Sequence, residues 1–384
     1  MKVSPTFFYT GLPVLAAVLA ILGASTLFSG CYTLKQGTIM LGYLGRAIPL
    51  DSLVGDGAPP SILPAQTSAD SAEPDAGAAV DEENRRFVER VRDIRRFAME
   101  ELGLAESANY TRYVELDREY LAAVVSAAAK DSFTRHEWWY PVVGRMPYKG
   151  FFNVKDARRE REKLQKKDLD VWVRQVDAFS TLGWFKDPLY SYMRNYSDYR
   201  LAELLIHELL HATVYLKGES QFDEELAEFV GSEGARLYIE KKFGAGSAEY
   251  QDLIDSEIDS IAFVAFIREL IAELDTLYKS GVNREEKLIR KEAIIRASQE
   301  RFDSEYETRF HSENYRGFIS LPVNNAYLEL YRLYYAEGSF FRDLYERSGR
   351  DLPKYIAAVK TLKEKRASGD PKDPKARLAK ALGL

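Results

Sequence analysis

The sequence predicts an α+β fold in which a small mixed sheet precedes a predominantly helical body. Three observations carry this. β-branched and aromatic residues at short spacing are concentrated between residues 110 and 179. From Ser197 almost to the end, apolar residues instead recur every three to four positions. Finally, 384 residues with 46% hydrophobic and 29% charged side chains suffice for a sizeable buried core and exclude wholesale disorder.

The elements follow in order. Phe87, Val91, Ile94, Phe97, Ala98 and Leu102 form an apolar stripe at helical spacing, so a helix opens the fold within 83–102. Strands are expected at 110–116, 120–127, 138–143 and 170–179. Residues 156–167, almost all charged, read as a helix with a solvated face. Long amphipathic helices are expected near 198–217, 223–243, 247–279 and 283–308. Residues 51–84 are acidic, rich in small residues, broken by proline and without a basic residue, which predicts a flexible linker.

The N-terminus carries a different signal. Lys2 is followed by an apolar stretch, Phe7 to Phe28, that ends at Ser29-Gly30-Cys31. Small residues before the chain's single cysteine let a peptidase reach the backbone, and the thiol is the nucleophile that accepts a diacylglycerol. Residues 1–30 are therefore expected to be a signal peptide and Cys31 a lipidation site, with 31–50 close to the lipid. The body, 85–384, divides into a helix-plus-sheet part (85–196) and a helical part (197–384). This predicts a lipid-anchored protein of the cell envelope. Tyr32 rather than Asp after the cysteine points to the outer membrane in a two-membrane bacterium.

Charge and cysteine content narrow the function. Lys and Arg total 53 against 59 Asp and Glu, a net charge of −6, which disfavours nucleic acid as a partner. One cysteine cannot build a disulfide or a cysteine-rich metal cluster, so a metal here must be held by histidine and carboxylate. His207-Glu208-Leu209-Leu210-His211 supplies such a site. On a helix, His207 and His211 project from one face toward one ion, with Glu208 beside them. Two of the four histidines in the chain lie in this motif.

Catalytic zinc takes three protein ligands and leaves one position open. Glu224, Glu225 and Glu228 on the following helix are candidates for the third. If that helix buries Phe222, Leu226 and Phe229, then Glu224 and Glu228 share a face and Glu225 turns away, which selects Glu224. Glu228, one turn on, is placed to accept a hydrogen bond from the outer nitrogen of a ligating histidine.

These residues resemble a family of bacterial gluzincin-type, lipoprotein-like metallopeptidases named for zinc aminopeptidase activity. There, H-E-x-x-H is followed by a Phe-Asn-Glu segment. Phe222-Asp223-Glu224 matches it with Asp in place of Asn. The likeness extends over 31–50 and 85–240 through Asp117-Arg118, Trp139 to Val142, Gly144, Pro147 to Phe152 and Ala178 to Pro188. Two departures stand out: the insertion 51–84, and Glu228 where relatives carry a small polar residue. The resemblance implies a zincin-like active-site helix, one Zn2+ per chain, Glu224 as third ligand and a peptide substrate.

Zinc peptidases hold an extended substrate along a strand edge, and Ser180, Thr181 and Gly183 are the candidate edge. Tyr148, His311, Tyr334 and Tyr335 are candidate oxyanion stabilisers. The expected chemistry is hydrolysis by a metal-activated water with Glu208 as general base. A second reading, with a structural metal, is a non-catalytic envelope scaffold or chaperone.

Overall fold

The computed structural model describes residues 31–54, 76–140, 144–176, 187–334, 339–364 and 369–384. Helix α1 (Cys31–Arg46), strand β1 (Ile48–Pro49) and a 3-10 turn (Leu50–Leu53) precede α2 (Ala76–Glu100). Strands β2 (Arg112–Val114), β3 (Ala122–Ala129), β4 (Trp138–Tyr140), β5 (Gly144–Met146) and β6 (Tyr148–Phe151) follow. Helix α3 (Val154–Gln165), β7 (Leu169–Val176) and β8 (Leu189–Tyr190) complete this part. The rest is helical: α4 (Asp198–Thr213), α5 (Ser220–Phe243), α6 (Ala248–Lys279), α7 (Arg284–Arg309), α8 (Asn325–Tyr334), α9 (Ser339–Arg347), α10 (Leu352–Thr361) and α11 (Pro374–Ala381). The fold is α+β. No helix among the described residues is long and apolar enough to cross a membrane.

Among the described residues the expected single mixed sheet is instead three small sheets. β1 runs antiparallel and β8 parallel to β2, so this sheet is mixed. β3 is the centre of a second, wholly antiparallel sheet, with Ser126 opposite Tyr148 of β6 and Trp172 of β7. β4 and β5 form a separate ribbon. The division has a physical cause. β3 is small and apolar, with seven of its eight residues buried, and can take neighbours on both edges. The flanking strands of two to four residues are too short to join the sheets into one.

The expected linker 51–84 is narrower at both ends than its composition suggests. Leu50 and Leu53 are buried and Asp51 pairs with Arg92 at 2.6 Å. At the far end the helix already runs from Ala76, and Asn84 is buried, accepting from Arg194 Nη1 at 2.7 Å. The segment 31–50, expected to lie close to the lipid, is also part of the fold. Tyr43 is buried, Tyr32 donates to the Gly150 carbonyl, and Gln36 Oε1 accepts from Phe152 N at 2.8 Å. The chain between 54 and 76 thus connects two packed elements, and does not separate Cys31 from the body as a tether would.

The two-part division of the body is crossed by its core. One apolar cluster joins Tyr43 and Leu53, the α2 stripe of Phe87, Val91 and Ile94, the metal-motif helix and, from the far end of the chain, Phe341, Tyr355 and Leu378. A second unites α6, α7 and α8 through Phe266, Phe302 and Leu328. Helices α9 to α11 therefore return to α5, where Phe341 lies 5.4 Å from Phe222 and 6.4 Å from Phe229 between ring centres.

Candidate metal centre

The helix that carries the motif has well-defined ends. Ser197 caps it by accepting from Arg200 N at 3.2 Å, and Asp198 puts a negative charge on its first turn. Arg90 of α2 fixes that end, pairing with Asp198 at 2.5 Å and donating to the Arg194 carbonyl at 3.1 Å. The helix stops at Thr213, whose hydroxyl bonds back to the Leu209 carbonyl at 2.7 Å before Val214 turns extended. Leu201, Leu205, Ile206 and Leu209 are fully buried, anchoring one face. His207 and His211 are left partly exposed, with 24% and 14% of their side chains accessible.

A short connection, 214–219, returns the chain as α5. Asp223 holds the turn, its two carboxylate oxygens accepting from Leu216 N at 3.1 and 3.0 Å. The Asp that stands where the resemblance expects Asn thus ties the connection to the first turn of α5. Burial, working against those two bonds, raises its pKa to about 6.

The turn delivers Glu224 to the histidine pair. His207 Nε2 and His211 Nε2 are 3.1 Å apart, Glu224 Oε2 is 3.7 Å from the first and Oε1 3.5 Å from the second. With ligand bonds near 2.05 Å, neighbouring ligands of a tetrahedral ion stand about 3.3 Å apart. The two approaches use different oxygens of Glu224; with one donor atom taken from each residue the three lie within 4.8 Å of one another, and the set of two imidazoles and a carboxylate suits a borderline-soft divalent ion. The two imidazoles that face it lower the Glu224 pKa to about 2, outweighing its desolvation. Burial by itself favours neutral His211, but the Glu224 carboxylate beside it outweighs burial and raises the imidazole's pKa.

Glu208 is nine-tenths buried beside the histidines. Burial raises its pKa, the two histidines pull the other way, and the Glu224 charge adds to the rise. Tyr110 lies close enough for its phenol to feel the Glu208 charge, and burial keeps that phenol protonated. Nothing in the sequence pointed to Tyr110. It sits in a left-handed turn at φ 59° with its amide on the Asp187 carbonyl at 2.8 Å, a conformation no local motif announced. Glu203 was also missed, although its spacing of four residues before His207 put it on the same face. Its carboxyl and that of Glu228 have pKa values raised by burial, and each also feels His207.

The remaining expectations fare differently. Glu225 turns away, pairing with Lys375 at 3.0 Å. Glu228 makes no hydrogen bond to either histidine among the described residues; it shares the inner face of α5 with Glu224 but lies one turn beyond it, near Glu203. His311 is engaged elsewhere, its Nδ1 3.1 Å from Asp259. Tyr148 stands opposite Ser126 in β6, and Tyr334 is the last residue of α8. Tyr335 and the candidate substrate edge Ser180, Thr181 and Gly183 lie outside the described residues.

An α+β scaffold that presents two histidines and a glutamate from an antiparallel helix pair defines a protein with a candidate metal-binding hydrolase site. The chain belongs to the family described as "Putative aminopeptidase", whose model matches residues 62–372. That match runs well past the 240 limit of the resemblance and takes in α6 to α10, in keeping with the return of the C-terminal helices to α5. No curated protein and no solved structure matches the chain.

Proposed function

We propose that the protein is a zinc-dependent peptidase, with aminopeptidase action, held at the cell envelope by a lipid on Cys31. The observation that carries the reading is the donor triangle of His207, His211 and Glu224 with a buried carboxyl, Glu208, alongside. His207 Nε2, His211 Nε2 and a Glu224 oxygen would hold the ion. Zinc there would supply Lewis acidity, which makes water a nucleophile near neutral pH and polarises a peptide carbonyl.

The protein's own groups do the rest. Glu208, with its raised pKa, takes the proton of the attacking water and returns it to the leaving amine. Tyr110, kept protonated by burial, is near enough for its phenol to feel the Glu208 charge. Glu224 keeps half of its side chain exposed, leaving an approach for substrate. The carboxyls of Glu203 and Glu228, both near enough to feel His207, offer acceptors for a substrate's free amino terminus. The group has three donors among the described residues, whereas a structural zinc is closed by four, and this favours catalysis over a scaffold role.

Zinc content and a peptide-library cleavage profile of the form beginning after Cys31 test the reading together. About one zinc per chain is expected, lost in His207→Ala and His211→Ala. A wild type free of transition metal after mild purification, or alanine variants that retain it, would sink the site. Stoichiometric zinc without cleavage of any peptide would leave the scaffold reading standing instead.

A further inference from the structure

We infer that Gly231 is a positioning residue for this centre: its missing side chain lets α5 approach the His207 turn of α4 closely enough for Glu224 to complete the histidine pair. The inference rests on the metal-site reading above. Gly231 follows Glu224 by seven residues, two helical turns, and so lies on the same face of α5. A Cβ at 231 would sit 3.0 Å from the Glu203 carbonyl oxygen, 3.0 Å from His207 Cβ and 3.4 Å from His207 Cα. Glu203 O is the helical acceptor for the amide of His207, four residues on. The contacts are therefore backbone, or the root of a ligand, and none can rotate aside. A side chain at 231 must shift α5 or deform the turn that holds His207. With these donor approaches at 3.1 to 3.7 Å, a shift of a few tenths of an ångström at this crossing is comparable to the tolerance of a metal site.

Gly234, one turn further along α5, is an internal control. Its added Cβ would meet Ile206 Cγ2 at 3.0 Å, Ile206 Cδ1 at 3.1 Å and Leu102 Cδ1 at 3.1 Å. These are side-chain methyl groups rather than backbone, and neither residue is a ligand. Alanine improves helix propensity equally at both positions, so the two substitutions differ in what they press on.

The experiment compares Gly231→Ala with Gly234→Ala in the intact protein. Zinc affinity is measured by chelator competition, the visible spectrum of the cobalt(II) form is recorded, and metal-free stability is read from urea midpoints. The inference expects similar midpoints for the two variants, zinc binding by Gly231→Ala weaker than by Gly234→Ala by about fivefold or more, and cobalt bands altered only in Gly231→Ala. A smaller gap in affinity, or unchanged cobalt bands in Gly231→Ala, overturns it. Should Gly231→Ala not fold without metal, its urea midpoint is followed across a zinc series. A rise as steep as that of the wild type overturns the inference, and a flatter one supports it. A wild type that takes up neither zinc nor cobalt fails the metal-site reading itself, a result distinct from equal binding by all three proteins.

Discussion

Glu224 Oε1 lies 3.5 Å from His211 Nε2, although twelve residues and a helix reversal separate the two along the chain. The carboxylate's other oxygen faces His207 at 3.7 Å, so a single side chain on α5 spans two imidazoles set edge-to-face one turn apart on α4. Glu208 stands on the same helix as the imidazoles but is far more buried than Glu224. The two glutamates therefore have different work.

Substitution separates them. Glu208→Gln is expected to keep the metal and the fold while kcat/KM on any cleaved peptide falls by about 10²- to 10⁴-fold, because the amide keeps the shape but cannot accept a proton. Glu224→Gln is expected to weaken zinc retention in chelator competition by about tenfold or more. Wild-type activity in Glu208→Gln would remove it from the chemistry.

The C-terminal helices are expected to support the centre from behind. Phe341 packs edge-on against Phe222 and stacks near Phe229, the residues that seat α5. Phe341→Ala should cost about 3–5 kcal/mol in urea unfolding, the usual penalty for emptying a buried aromatic site. A loss under about 1 kcal/mol would show that α9 does not brace α5.

Asp259 is expected to make stability depend on acid. It is fully buried on α6 and accepts from His311 N and Ser312 N at 2.8 Å and from Ser312 Oγ at 2.7 Å, with His311 Nδ1 at 3.1 Å. Burial pushes its pKa up, but these bonds outweigh burial and leave it below the usual aspartate range. A depressed carboxyl stabilises the fold above its unfolded pKa, and that contribution is lost as pH falls through the folded one. Asp259→Asn should therefore cost about 1–3 kcal/mol at pH 7, and its stability should converge on the wild type's below about pH 4. A difference that is flat from pH 7 to pH 3 would contradict this.

Attachment at Cys31 is expected to be direct. Labelled palmitate should enter wild-type protein and not Cys31→Ala, which should remain an unprocessed precursor. Because Tyr32, Gln36 and Tyr43 already pack on the body, the anchor would hold the folded part against the bilayer without an intervening tether. A mature protein wholly in the aqueous phase of a detergent partition, with a free Cys31 thiol, would refute the anchor.

What the sequence determined by itself is what one helical period encodes. The spacing of His207 and His211, the face shared by Glu224 and Glu228, the turn of Glu225 away from the histidines and the amphipathic helices after Ser197 all follow from 3.6 residues per turn. The residues at 120–127 likewise marked a strand, which the structure has at 122–129. The tertiary structure decided everything that depends on which surfaces meet. It divided the strands among three sheets, because pairing partners are chosen by packing and closure, which local composition does not specify. It folded 31–54 and 341–378 onto the metal helices from opposite ends of the chain, joining apolar faces whose partners no periodicity names. It brought Tyr110 to Glu208 through a left-handed turn, and it set the crossing of α4 and α5 at Gly231, where a missing Cβ acts only through the neighbour it admits. Residues one turn apart on a helix are neighbours by covalent geometry, whereas residues on different elements become neighbours only when the whole core closes around them.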